Sequence, residues 1–212
     1  MEAFKSISGI AAPMMAANID TDVIMPKQFL KGIDRQGLDK GLFYDLRFNK
    51  DGSENSDFIL NKTGWKGACF LIVGPNFGCG SSREHAVWGM KQLGIKAIIG
   101  TSFAGIFNDN CQRNGILTIC LEEDKLNQLA DTVKKTDSNF IQVDLVEQKI
   151  SVATTVYPFN VDEMKKKMLV NGLDAIGLTL SFSSEIKKFE ENYYAASPWY
   201  SLYVFSDLIV SS

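Results

Sequence analysis

The chain has 212 residues, a net charge of −3, 45% hydrophobic residues and 22% charged residues. These values describe an ordinary globular protein, long enough to bury a sizeable core. The absence of a basic stripe argues against a nucleic-acid partner, and no apolar run reaches the ~18 residues that a membrane span needs.

Four cysteines stand at 69, 79, 111 and 120, with no C-x-x-C pair and a single histidine. A metal centre built by this chain alone is therefore not expected. Cys69 and Cys120 lie in apolar, strand-like runs and read as small buried hydrophobes in a reduced, cytoplasmic setting.

The opening MEAFKSISGIAAPMMAA carries an early Glu2 and a proline in its short apolar part. It reads as a first strand and turn rather than a signal peptide. NIDTDVIMP, from Asn18 to Pro26, reads as a polar turn leading into a short extended run. Pro26 then opens a short helix. Residues 32–66 are rich in Gly, Asp, Asn and Lys and read as irregular, with one or two short elements.

The middle of the chain alternates clearly. ACFLIVG is an apolar strand, and SSREHAVWGMKQLG is a helix stopped by Gly94. KAIIG is the next strand, SFAGIFNDNCQRNG a helix stopped by Gly115, and ILTICL a third strand. This order implies βαβ units and parallel pairing. A further helix carries the buried stripe Leu126, Leu129, Ala130 and Val133 at i, i+3, i+4, i+7 spacing. FIQVDLV and KISVATTV then read as two alternating strands of one hairpin. Two more helices, around LDAIGLTL, complete a mixed α/β domain with an antiparallel annex. Lys165, Lys166 and Lys167 sit on the first of these helices and are expected to face water.

The decapeptide NFGCGSSREH, Asn76 to His85, lies where strand hands over to helix. In open α/β sheets that is where ligands bind. Gly78 and Gly80 permit a tight turn and close backbone approach. The helix, expected to begin near Ser81, aims free N–H groups and partial positive charge outward, which attracts carboxylate or phosphate. Arg83, in its first turn, adds a fork that holds a carboxylate through two bonds. Ser81-x-x-Glu84 is also a capping box. Both readings stand together, because a capped helix end still binds an anion.

Two other chemistries fail on spacing. A dinucleotide loop needs G-x-G-x-x-G and an acid about 20 residues on. Here Arg83 takes the third glycine position, and KAIIGTS holds no acid. A serine hydrolase needs G-x-S-x-G and a distant histidine, but the closing glycine is missing and His85 lies on the same helix as Ser81. An acid–base site for a carboxylate substrate remains.

NFGCGSSREHAVWGM resembles the signature of the small swivelling domain of the aconitase superfamily. NIDTDVIMPKQFL and SFAGIFNDNCQRNGIL resemble two further motifs of that domain. NGLDAIGLTL is similar to the longer bacterial form of the 3-isopropylmalate dehydratase small subunit family. The resemblance runs over residues 1–198 in the right order. It implies a swivelling β/β/α domain of the α/β class, a partly open mixed β-barrel flanked by helices. Residues 199–212 depart from it as an apolar tail, fit for an extra strand, a partner contact or an exposed aggregation-prone segment.

The resemblance also implies a reaction. A large subunit with a [4Fe-4S] cluster joins the small one, and together they interconvert 2-isopropylmalate and 3-isopropylmalate by dehydration and rehydration in leucine biosynthesis. The alternatives are a related hydratase for another malate-type acid, or a non-catalytic diacid-binding module. By position, Ser81 is the implied base. Ser82 and Arg83 bind substrate carboxylate, and Thr21 and Asp22 lie at the same site. Gly78, Gly80, Glu84 and His85 shape or support it, and Cys79 lies near the substrate. Asp22 also reads as a plain turn-capping carboxylate. Substrate choice is expected in the loop KQFLKGIDRQG.

Overall fold

A computed structural model describes residues 1–30, 36–81 and 83–200. The chain forms two compact units, Met1–Gly172 and Leu173–Ser212. The sequence led us to expect a domain over 1–198 and a tail over 199–212; the two units meet in sequence after Gly172, the left-handed cap that ends a helix.

In chain order the first unit comprises β1 (Ser6–Met14), α1 (Thr21–Ile24), α2 (Tyr44–Arg47), β2 (Phe70–Val73), α3 (Glu84–Leu93), β3 (Ala97–Gly100), α4 (Gly105–Asn114), β4 (Leu117–Cys120), α5 (Glu123–Val133), β5 (Phe140–Asp144), β6 (Lys149–Val152), β7 (Thr155–Pro158) and α6 (Glu163–Asn171). The seven strands make one open sheet in the order β4-β3-β2-β1-β5-β6-β7. Strands β1 to β4 pair in parallel, and β1, β5, β6 and β7 pair antiparallel. The expected βαβ centre and antiparallel annex are both present, and β1 joins them.

Every residue of β2 and β3 is buried, as expected of strands covered on both faces. Alternation sorts them to opposite sides. Phe70 and Ile72 join a core with Leu126, Leu129, Ala130 and Val133 of α5. Leu71 and Val73 join a second core with Val87 and Met90 of α3 and Phe107 of α4. The loop strand of the site is thus clamped between two layers. Gly94 and Gly115 end α3 and α4 in the left-handed conformation, as the sequence suggested.

Several expectations need correction. NIDTDVIMP is not extended: the Asp20 carboxylate accepts from the Val23 amide at 2.8 Å and starts the single turn α1, as a helix cap does. KISVATTV is two strands rather than one. Ala153, at φ 48°, turns the chain so that Val152 faces Thr155, making a second hairpin of the kind that needs positive φ in its loop. Residues 32–66 hold more short structure than foreseen, including α2 and three 3₁₀ turns. Cys120 is exposed and Cys69 half-buried, whereas Cys111 is the fully buried thiol. Lys165 and Lys166 are half-buried rather than free in water, and Lys166 Nζ donates to the Val146 carbonyl at 2.7 Å.

In the second unit, α7 (Ala175–Leu180) and α8 (Ser183–Ala196) are helical, so most of LDAIGLTL is itself a helix. Asp174 makes it so by accepting from the Gly177 amide at 2.7 Å. Neither helix holds a buried residue. Residues 201–212 of the expected tail, and residues 31–35 of the expected specificity loop, lie outside the described residues.

Ala153 occupies a backbone region that costs a residue with a Cβ about 1–2 kcal/mol. Ala153→Gly is therefore expected to stabilise the protein by roughly 0.5–1 kcal/mol. Urea unfolding measures it; a loss of stability would mean that the hairpin turn is built differently.

Candidate active site

The loops that leave β1 and β2 run side by side beyond the sheet. The Asn18 amide donates to the Pro75 carbonyl at 2.9 Å, and the Gly78 amide to the Ile19 carbonyl at 2.8 Å. Asp20 and Cys79 then form a parallel bridge, and the Thr21 amide donates to the Cys79 carbonyl at 2.8 Å. The loop after β3 joins on the other side: Phe77 bridges Phe103 in parallel, and the Asn76 amide donates to Ser102 Oγ at 2.9 Å. Two asparagines with φ 56°, Asn18 and Asn76, bond side chain to side chain at 2.8 Å and tie the turns together. Asparagine tolerates this conformation better than most residues.

Gly78 and Gly80 have φ of 77° and 91°. At Gly78 a side chain is excluded by space as well, since a Cβ would lie 2.2 Å from Phe107 Cγ. The glycine turn therefore wraps an aromatic contact, Phe77 against Phe107 edge-on at 5.5 Å between centroids.

Two contacts close the site. Thr21 is 1% exposed, and its Oγ1 donates to the Ser81 carbonyl at 2.8 Å. Arg83 Nη1 pairs with the Asp22 carboxylate and donates to the Met25 carbonyl at 3.3 Å. The Arg83 side chain is 10% exposed and that of Asp22 45%. The guanidinium is thus held in place from one side, with Nε and Nη2 left out of these two bonds. Ser81 is exposed at the rim and Cys79 half-buried beside it. Thr21, Asp22, Ser81 and Arg83 are brought together as expected. Ser82 lies outside the described residues.

The helix start differs from expectation. Helix α3 begins at Glu84, with Arg83 as its cap residue and no side-chain capping bond. The Ser81-x-x-Glu84 capping box is therefore not formed. The physical reason lies in two longer-range contacts: Thr21 fixes the Ser81 carbonyl, and Glu84 Oε1 accepts from Asn114 Nδ2 at 2.8 Å. Among the described residues no side chain caps the first amides of α3, which favours an anion more than a capped start would. His85 packs its ring on Trp88 at 4.8 Å between centroids, from the second residue of the helix.

Asn114 and Trp88 were missed as site residues by sequence reasoning. Asn114 lies in the quoted motif SFAGIFNDNCQRNGIL, but its position before a helix-ending glycine looks like a simple terminus. Its partners are 30 and 26 residues away.

Thr21→Val keeps the shape and removes the hydroxyl, leaving the Ser81 carbonyl without this donor. An isolated-chain destabilisation of about 1–3 kcal/mol is expected, together with loss of turnover in the assembled enzyme. A Thr21→Val protein with unchanged unfolding midpoint and unchanged turnover would show that this bond does not hold the loop.

The Aconitase C-terminal domain family matches residues 1–124, and the family of C-terminal domains of the 3-isopropylmalate dehydratase small subunit matches residues 176–201. The chain is 62% identical over 202 residues to 3-isopropylmalate dehydratase small subunit 1 of Mannheimia succiniciproducens, covering 95% of this chain and 100% of that protein. It is 59% identical over 199 residues to small subunit 2 of Salmonella typhimurium, covering 94% and 96%. The crystal structure of a 3-isopropylmalate dehydratase from Methanocaldococcus jannaschii matches with a TM-score of 0.63 at 27% identity, over 86% of this chain and 99% of that one. The glycine turn, the open helix start and these likenesses agree: the chain belongs to the 3-isopropylmalate dehydratase small-subunit family, on the aconitase C-terminal domain fold.

Proposed function

We propose that this chain works as the small subunit of a two-subunit hydro-lyase that interconverts 2-isopropylmalate and 3-isopropylmalate in leucine biosynthesis. The observation that carries the site is the joining of two distant motifs. Thr21 meets Ser81, and Asp22 meets Arg83, across 60 and 61 positions of sequence. They set a serine, a fixed cation and an uncapped helix start in one place.

Among the described residues, no group of three or more His, Cys, Asp or Glu is placed to hold a metal ion. Two of the thiols are poorly suited as well: complete burial pushes the Cys111 thiol well up, and burial also raises the half-buried Cys69. Ligation by thiolate needs the deprotonated form. These residues do not fit an iron–sulfur cluster, so we assign the [4Fe-4S] cluster to the large subunit.

In this reading the Ser81 hydroxyl, as alkoxide, takes the proton next to a substrate carboxylate. An alkoxide is too unstable in water near neutral pH to serve as such a base. Cation, helix start and exclusion of water together lower its cost. Ser81 is exposed in the chain by itself, so the dry surroundings must come from a covering partner. Arg83 and Ser82 hold a carboxylate of the diacid. Asp22 aligns the guanidinium through Nη1, so that Nε and Nη2 serve the substrate. The cytoplasm is the expected location, with the large subunit and a small diacid as partners.

Reconstitution with a cluster-loaded large subunit, followed by absorbance of the unsaturated diacid, tests the reading. Ser81→Ala is expected to lower kcat by about 10² or more with the assembly intact; near-normal turnover would sink the base assignment. Arg83→Lys replaces a fork by a point charge and is expected to raise KM about tenfold or more. An unchanged KM would remove Arg83 from carboxylate binding.

A further inference from the structure

Glu84 poses a problem that the site as described does not answer. It is the first residue of α3, whose start carries no side-chain cap among the described residues. A carboxylate there is drawn to the helix's own open amides and partial positive charge. Folded onto them, it would occupy the donors that a substrate carboxylate needs and add like charge against an incoming dianion.

The structure shows what holds it away. Asn114, the last residue of α4, donates through Nδ2 to Glu84 Oε1 at 2.8 Å and to the Asn110 carbonyl at 2.9 Å. Its Oδ1 accepts from Trp88 Nε1 at 3.1 Å. An indole nitrogen only donates, while a carbonyl and a carboxylate only accept. The orientation of the amide is therefore fixed by its partners, and Nδ2 must face Glu84. Asn114 and Glu84 are both half-buried, and α3 and α4 pack together through Val87, Met90, Phe107 and Cys111 in one core. The carboxylate is pinned to the seam between two helices.

We propose that Asn114 is a positioning residue that keeps the Glu84 carboxylate off the start of α3, so that the helix end stays open to a substrate carboxylate. Asn114 touches no reacting atom in this role; it acts through Glu84. The inference rests on the functional reading given above and adds to it the device that leaves the anion site vacant for the diacid.

The test uses the enzyme reconstituted with its large subunit and 2-isopropylmalate. Asn114→Ala is expected to raise KM about tenfold, with kcat changed less than threefold, because what is lost is binding rather than transition-state contact. Asn114→Asp cannot donate and repels Glu84, so its KM is expected to rise at least as far. The decisive variant is the double substitution Asn114→Ala with Glu84→Ala. With no carboxylate left to fold back, KM is expected to return to within about threefold of the wild-type value. A merely structural role for Asn114 predicts the opposite, a double variant as impaired as Asn114→Ala or worse. That result, or a wild-type KM in both Asn114→Ala and Asn114→Asp, overturns the inference. If instead the wild-type assembly itself fails to convert 2-isopropylmalate, the functional reading falls and takes the inference with it.

Discussion

The parallel pairing of β1 with β2 does not stop where the strands stop. It continues through Asn18–Pro75, Ile19–Gly78, Asp20–Cys79 and Thr21–Ser81, so that two loops behave as one short ribbon beyond the sheet. Everything that gives the site its character hangs on this ribbon. It brings Asp22 to Arg83, turns the Ser81 carbonyl towards Thr21, and starts α3 two residues later than the local sequence favours. The sheet beneath is held on both faces by separate cores, so the ribbon has a rigid base. Sites supported by strands in this way hold their groups more closely than sites on free loops.

The arrangement spends local stability on readiness for a ligand. A capped α3 would satisfy its own first amides and be about 1 kcal/mol more stable. Here, among the described residues, Ser81 has its carbonyl held by Thr21 and Glu84 has its carboxylate held by Asn114, and neither side chain caps the helix. Arg83 is aligned by Asp22 and the Met25 carbonyl before any substrate arrives. Donors fixed in advance need no reorganisation when charge develops.

Much of the fold was legible because its signals are local. The apolar runs of β2 and β3, the stripe of α5, and the glycines after α3 and α4 each act within a few residues of themselves. The site was legible as a collection of residues for the same reason: NFGCGSSREH is a dense loop at a strand end. Its wiring was not. Whether Asp20 or a later residue starts a turn, and whether Ser81 or Arg83 is the cap residue of α3, is decided by partners some 60 positions away. KISVATTV keeps strand-like composition straight through Ala153, so its turn carries no glycine, asparagine or proline to announce it. Asn114 resembles an ordinary last residue of a helix, and only the packing of α4 on α3 gives it work.

The central place of β1 has a consequence for how the molecule is made. β1 precedes every other strand in the chain, yet one edge waits for residues 70–73 and the other for residues 140–144. During synthesis its carboxyl-side loop meets its partner soon after β2 emerges, while its second edge stays unpaired until most of the unit exists. The strands and loops that make the ribbon all belong to the parallel half. The antiparallel half then acts as a late closure, protecting a strand edge that would otherwise invite pairing between nascent chains.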